Sequence, residues 1–167
     1  MLNAVVDISH HQAQVDFVKL KAAGIIGVVH KATAGLRFID SMYAAHRSQA
    51  LDAGLLWGAY HWGTGDASGK DQADHLLNVT NPDEQTLLAL DYEPNVAGSH
   101  RLGPDMDEQR AFDFVERINE ATGRYPLLYT GLAMAGHIPH LPKCPLWWAR
   151  YGPNPVGFPT DIWPTWT

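Results

Sequence analysis

Asp91 and Glu93 stand two residues apart, directly behind the apolar run Leu87-Leu88-Ala89-Leu90. Side chains alternate along an extended strand, so both acids fall on one face with their Cα atoms roughly 6.5–7 Å apart. Two carboxylates in one space repel, and partial burial adds to the effect. One pKa rises, so one acid stays protonated near neutrality while the other stays ionised. That asymmetry is what cleavage of a glycosidic bond requires. An Asp-x-Glu alone also fits a solvated strand end or a pair of helix-capping acids. Here the preceding run has the composition of an interior strand, where two unpaired acids are costly unless they have a task. Asp7 closes another such run, Ala4-Val5-Val6, and supplies a third acid.

The aromatic residues point the same way. Sugars present flat apolar faces rimmed with hydroxyls, and Tyr and Trp offer a stacking face with a polar tip. Tyr60, Trp62, Tyr129 and Trp148 occupy positions for such contacts, with packing inside a barrel core as the alternative. Trp57 and Trp147, of opposite parity on their strands, are expected to pack against helices. Asp7, His10, His11, His30 and His61 raise the possibility of a metal-dependent hydrolase, but the chain contains no H-x-H or HExxH. Histidines lining a polar cleft are the other reading, and no cofactor or metal is expected. Cys144, the single cysteine, has no intrachain disulfide or CxxC partner, and its neighbours Lys143 and Pro145 supply no activating base.

Something must hold these residues together. Apolar runs at 4–8, 25–30, 56–60, 86–90, 126–129 and 146–149 read as six buried strands. Helical spacing fills 17–23, 41–53, 68–79 and 105–122, with Asp16 as an N-cap and Gly24, Gly54 and Gly123 at helix ends. Strand and helix in alternation mean an α/β fold with a parallel sheet, either doubly wound or a (β/α) barrel. The polar residues decide for the barrel. Asp7, Lys31, the Tyr60-His61-Trp62 run, Asp91 with Glu93, Tyr129, and Trp148 with Arg150 all stand at the carboxyl ends of successive strands, which converge on one mouth in a barrel. Neither GxGxxG nor GxxxxGK[ST] occurs, which disfavours a nucleotide fold. Residues 94–104 and 139–145 read as loops, and no repeat or linker divides the chain, so 1–167 is read as a single catalytic domain.

Composition excludes several classes. Of the 167 residues, 46% are apolar and 18% charged, the balance of a packed globule. A formal charge of −6 argues against a nucleic-acid partner. The first residues lack a basic, then apolar, leader, and no stretch is apolar for the roughly 18 residues a membrane span needs. The expectation is a monomer made without a targeting signal, as for an enzyme released through a separate membrane pore, or one secreted and then stripped of its signal.

Six segments in order, Val5-Val6-Asp7-Ile8-Ser9, Lys31-Ala32-Thr33-Ala34-Gly35, Gly58-Ala59-Tyr60-His61-Trp62, Ala89-Leu90-Asp91-Tyr92-Glu93, Tyr125-Pro126-Leu127-Leu128-Tyr129-Thr130 and Leu146-Trp147-Trp148-Ala149-Arg150-Tyr151, resemble glycoside hydrolase family 25. The resemblance implies a modified TIM-like (β/α) barrel and an N-acetylmuramidase, a lysozyme of the endolysin kind. Such an enzyme cuts the β-1,4 bond between N-acetylmuramic acid and N-acetylglucosamine in peptidoglycan glycan strands. By the same resemblance Glu93 is the general acid, Asp91 the carboxylate that orients or stabilises the reacting N-acetyl group, and Asp7 a third active-site acid. Tyr60, His61, Trp62, Tyr129, Trp148, Arg150 and Lys31 become substrate contacts. The chain departs from the family's pattern at His11, usually aromatic, and at Ala34, usually acidic. It also ends where the family continues through further strands, one carrying another acid. Against the roughly 200 residues usual for such barrels, 167 implies that the last strand or strands are absent or truncated. A non-catalytic glycan-binding barrel and an enzyme acting on a related polymer such as chitin are the competing readings.

Overall fold

A computed structural model describes residues 4–95, 103–131, 141 and 143–149. The elements run β1 (Val5–Ile8), α1 (Phe17–Ala22), β2 (Gly27–Ala34), β3 (Phe38–Ile39), α2 (Tyr43–Asp52), β4 (Leu56–Trp62), α3 (Gly69–Thr80), β5 (Leu87–Asp91), α4 (Glu108–Thr122), β6 (Leu127–Gly131) and β7 (Leu146–Ala149). Six strands pair in parallel in the order β1-β2-β4-β5-β6-β7, and the sheet curls into a half-barrel. Among the described residues its outer strands, β1 and β7, do not pair with each other. No helix among them is long and apolar enough to cross a membrane.

All six strands stand where the apolar runs place them, with two differences. β2 continues to Ala34 through a register shift between Lys31 and Thr33, so Lys31 lies within the strand and not after it. The hairpin strand β3, antiparallel to β2 through Thr33–Ile39 and Ala34–Phe38, is an addition. Two residues are too short a run for periodicity to register.

Three of the four helices, α1, α3 and α4, start on a side-chain cap. Asp16, Ser68 and Asp107 accept hydrogen bonds from the backbone N–H groups of Lys19, Asp71 and Arg110, at 2.9, 3.1 and 2.8 Å, satisfying donors that the first helical turn leaves open. In α4 the buried residues Ala111, Phe114, Val115 and Ile118 recur at helical spacing and meet Ala73 and Leu76 of α3. Even-numbered residues of β5 and β6, Leu88, Leu90 and Leu128, join Trp57, Leu146 and Trp148 in this same core layer. The helix side of the sheet is therefore the packed one, and the odd-numbered residues of these strands face the concave side.

The α3–α4 contact depends on Gly69. A Cβ there would sit 2.0 Å from the Arg110 carbonyl oxygen and 2.8 Å from the Phe114 nitrogen, both backbone atoms that cannot swing away. Gly69→Ala is expected to pry the helices apart and cost about 2–3 kcal/mol, measured as a lower urea midpoint at unchanged slope. An unaltered midpoint would show that the two helices can separate freely.

Candidate active site

One row of paired residues crosses four strands: Trp62 beside Asp91, Asp91 beside Tyr129, Tyr129 beside Trp147. Residues in one row of a parallel sheet project to the same face. With Asp7, Tyr60 and Glu93 these four line a single cavity on the concave side. Tyr92 turns the other way into the core and is only 2% exposed, so the residues flanking it both reach the cavity. Asp91 ends β5, and Glu93 lies just past the strand in the same extended direction.

The two acids differ in environment. Asp91 is 5% exposed, and its Oδ1 accepts no hydrogen bond from any described residue. Burial first, then the Glu93 charge, holds its pKa well above the ordinary carboxylate range, with Lys31 pulling the other way and Asp7 adding to the rise. Glu93 is half-buried, and burial and the Asp7 charge raise its pKa too. A pair of this kind titrates as a unit and retains a proton to higher pH than either acid would in water. The deeper burial of Asp91 favours the proton there, since Glu93 is only half-buried.

The walls are fixed in turn. Trp62 Nε1–H donates to Asn95 Oδ1, and Asn95 is itself tied to Asp105 by its backbone N–H (2.6 Å) and to the Pro104 carbonyl by its side chain (2.7 Å). Lys31 Nζ lies 4.7 Å from the centre of the Trp62 ring, a cation–π distance, and burial lowers its pKa while Asp91 and Asp40 raise it. Burial, then the Asp91, Asp7 and Asp40 charges, keep the Tyr60 phenol protonated, as a hydrogen-bond donor. Tyr129 meets Trp147 edge-on at 5.0 Å.

Two expected contacts end up elsewhere. His61 is fully buried on the helix side, its Nδ1 2.8 Å from Thr33 Oγ1, its Nε2 3.1 Å from Gln72 Oε1, and its ring stacked on Phe114. Burial lowers its pKa to about 3, so it is a neutral strut between β4 and α3 and not a cleft residue. His61→Ala would strand the Thr33 and Gln72 partners in a dry site. The expected cost is about 2–4 kcal/mol in chemical denaturation, with activity per folded molecule retained. A raised KM at normal stability would instead restore His61 to the cleft. Trp148 is 7% exposed and belongs to the core, while Trp147, assigned to the helices from parity, lines the cavity. Two adjacent tryptophans leave parity ambiguous by one residue; only the pairing of Tyr129 with Trp147 resolves it. Arg150 lies outside the described residues. Asn95 and Trp147 are the site residues that sequence reasoning missed, and no motif marks the first.

Among the described residues no three His, Cys, Asp or Glu side chains gather as a metal-ligand set. The histidines are dispersed: His30 pairs with His46 inside the core at 2.9 Å, and His10 pairs with Asp40 at 2.8 Å.

The sequence profile of Glycosyl hydrolases family 25 matches residues 6–167. The chain belongs to this family. Among solved family 25 structures, a GH25 lysozyme from Aspergillus fumigatus superposes with a TM-score of 0.84 at 34% identity, over 96% of this chain and 83% of that one. Lysozyme M1 of Streptomyces globisporus is 31% identical over 97% of this chain, and an N,O-diacetylmuramidase of Arthroderma benhamiae is 29% identical over 93%. The family 25 chain described here spans 59% and 63% of the lengths of those two relatives.

Proposed function

We propose that this family 25 chain is a muramidase that hydrolyses the β-1,4 bond between N-acetylmuramic acid and N-acetylglucosamine in peptidoglycan. The observation that carries the reading is the buried, unpartnered Oδ1 of Asp91 beside the half-buried Glu93 in a cavity walled by aromatic rings. An acid pair of unequal burial suits proton transfer, the aromatic walls suit pyranose faces, and the open acceptor on Asp91 suits an amide N–H. The names of the similar proteins support the same substrate class.

In the proposed reaction the N-acetyl N–H of the sugar donates to Asp91 Oδ1. That bond, with the Lys31 charge, favours the Asp91 carboxylate and shifts the shared proton to Glu93. Glu93 then protonates the glycosidic oxygen as the C1–O bond breaks, and the acetamido carbonyl oxygen of the same sugar bonds to C1. Water, deprotonated by Glu93, attacks C1 and releases the carbonyl, leaving a new reducing end and a protonated Glu93. Asp7, at the exposed edge of the cavity, adds negative potential that holds Glu93 protonated.

The test is digestion of purified peptidoglycan, borohydride reduction of the new ends, and identification of the reduced sugar. Reduced muramic acid is the expected product. Reduced glucosamine would reassign the bond, and tight binding with no new ends would make the chain a glycan-binding barrel.

A further inference from the structure

The polar tip of Trp62 is taken by the protein itself. Its indole Nε1–H donates to Asn95 Oδ1, so the ring offers the cavity a face and not a hydrogen-bond donor. Asn95 can hold that tip because its other polar atoms are fixed. Its backbone N–H donates to Asp105 Oδ1 (2.6 Å) and its Nδ2–H to the Pro104 carbonyl (2.7 Å). Turning the amide over would set its nitrogen against the indole N–H and its oxygen against the Pro104 oxygen, replacing both hydrogen bonds with repulsive contacts. The place between Trp62 and Pro104 therefore requires a side chain that accepts on one side and donates on the other.

The Pro104 carbonyl is a firm anchor. It also accepts the Gly65 N–H at 2.7 Å, which joins the segment after β4 to the segment before α4. The approach is so close that a Cβ on Gly65 would lie 2.3 Å from the Asp105 carbonyl oxygen. On one side of Gly65, Thr64 exchanges hydrogen bonds with Gln72 of α3, its N–H to Oε1 and its carbonyl from Nε2–H, both at 2.9 Å. Next to Trp62, the Gly63 N–H donates to the Asp91 carbonyl at 3.0 Å. A chain of hydrogen bonds thus runs from α3 through Pro104 to the Trp62 indole, and the strand end that carries Trp62 is pinned to the one that carries Asp91.

We propose that Asn95 is a positioning residue for the glycan: it locks the Trp62 ring at the angle a pyranose face meets, as a neutral amide whose orientation Pro104 dictates. Trp62 touches the sugar, and Asn95 acts through it. A side chain that must be ordered by its ligand weakens binding, and fixing the indole beforehand removes that cost. Asn95 reaches no reacting atom, so its effect falls on binding and not on the chemical step. The proposal rests on the reading that the acid cavity receives a glycan.

The experiment uses the full chain with Glu93→Gln, which leaves the ligand uncleaved, and a tetrasaccharide of alternating N-acetylglucosamine and N-acetylmuramic acid as probe. This parent is compared with added Asn95→Ala or Asn95→Asp by calorimetry and by the Trp62 indole 1H–15N signal. In the parent the indole N–H is expected to exchange slowly with solvent and to shift on binding. Asn95→Ala is expected to speed the exchange and to weaken binding about tenfold, the scale of one immobilised side chain. With Glu93 restored, the same variant should raise KM by a similar factor at unchanged kcat. Asn95→Asp gives the sharper outcome. As a carboxylate it accepts from the indole but repels the Pro104 oxygen, and its binding near neutral pH should be weakened too. Once protonated it donates to Pro104 and accepts from Trp62 as the amide does, so its affinity relative to the parent should recover below about pH 4. Rapid indole exchange in the parent, parental affinity in Asn95→Ala, a loss in kcat without a rise in KM, or no recovery of Asn95→Asp in acid would each overturn the positioning role alone. A Trp62 signal that ignores the probe in the parent would sink the glycan reading of the cavity and this one with it.

Discussion

Glu93→Gln is expected to slow release of reducing ends from peptidoglycan by about 10²- to 10⁴-fold, the usual contribution of a positioned proton donor. The amide keeps the shape of the side chain but has no proton to deliver at the scissile oxygen and cannot activate water in the second half of the reaction. Substrate affinity and far-UV circular dichroism should be unaffected, because Glu93 lies beyond the end of β5 and supports no core contact. Initial rates across a substrate series give the kcat and KM split. In the parental protein activity should fall at alkaline pH as Glu93, whose pKa is raised by burial and by Asp7, loses its proton. A parental rate in the variant would move the acid to another carboxyl, with Asp91 the nearest candidate.

Asp91→Asn should act on rate and stability in opposite directions. The amide cannot accept and polarise the acetamido N–H as a carboxylate does, and a loss of about 10²- to 10³-fold is expected, as for removal of one electrostatic contact to a developing charge. Stability should rise. In the folded protein the Asp91 pKa is held well above 3.8 by burial and by Glu93, so the folded state binds the proton more tightly than the unfolded chain. The resulting stability is fully present below the unfolded pKa and is lost as pH rises through the folded one. The parental protein therefore weakens from acid toward neutral pH, whereas Asp91→Asn lacks this loss. Urea unfolding should show the variant ahead by on the order of 1 kcal/mol at neutral pH and level with the parent near pH 4. A gap that stayed constant with pH would mean that the buried charge is not its source.

The parts of this molecule that follow from a periodic rule were legible in the sequence. Six strands and four helices were recoverable because apolar runs, a capping acid and terminal glycines repeat in one grammar, and the interior run before Asp91 singled out the acid pair that lines the cavity. What escaped depended on partners distant in sequence. His61 sits between two residues that face the cavity, and only the presence of Thr33 and Gln72 on its own side marks it as a buried strut. The Trp147-Trp148 pair cannot declare its parity without a neighbouring strand, and Asn95 acquires its role only where residues 104 and 105 close over it. The β3 hairpin is too short to leave a periodic trace, although it carries Phe38 and precedes Asp40.

The row Trp62, Asp91, Tyr129, Trp147 makes the cavity a matter of phase. Each of four strands contributes one side chain at the same rung, so a substitution at a rung changes one wall and leaves the others in place. A single-residue insertion or deletion inside any of these strands changes every side chain beyond it at once, because a slip of one position swaps the two faces of a strand. In β7 it would carry Trp148 into the cavity and drive Trp147 into the packed layer. Engineered changes of specificity in this chain therefore belong at the rungs or in the loops above them, with strand lengths held fixed, and natural length variation should accumulate everywhere except within these four short runs.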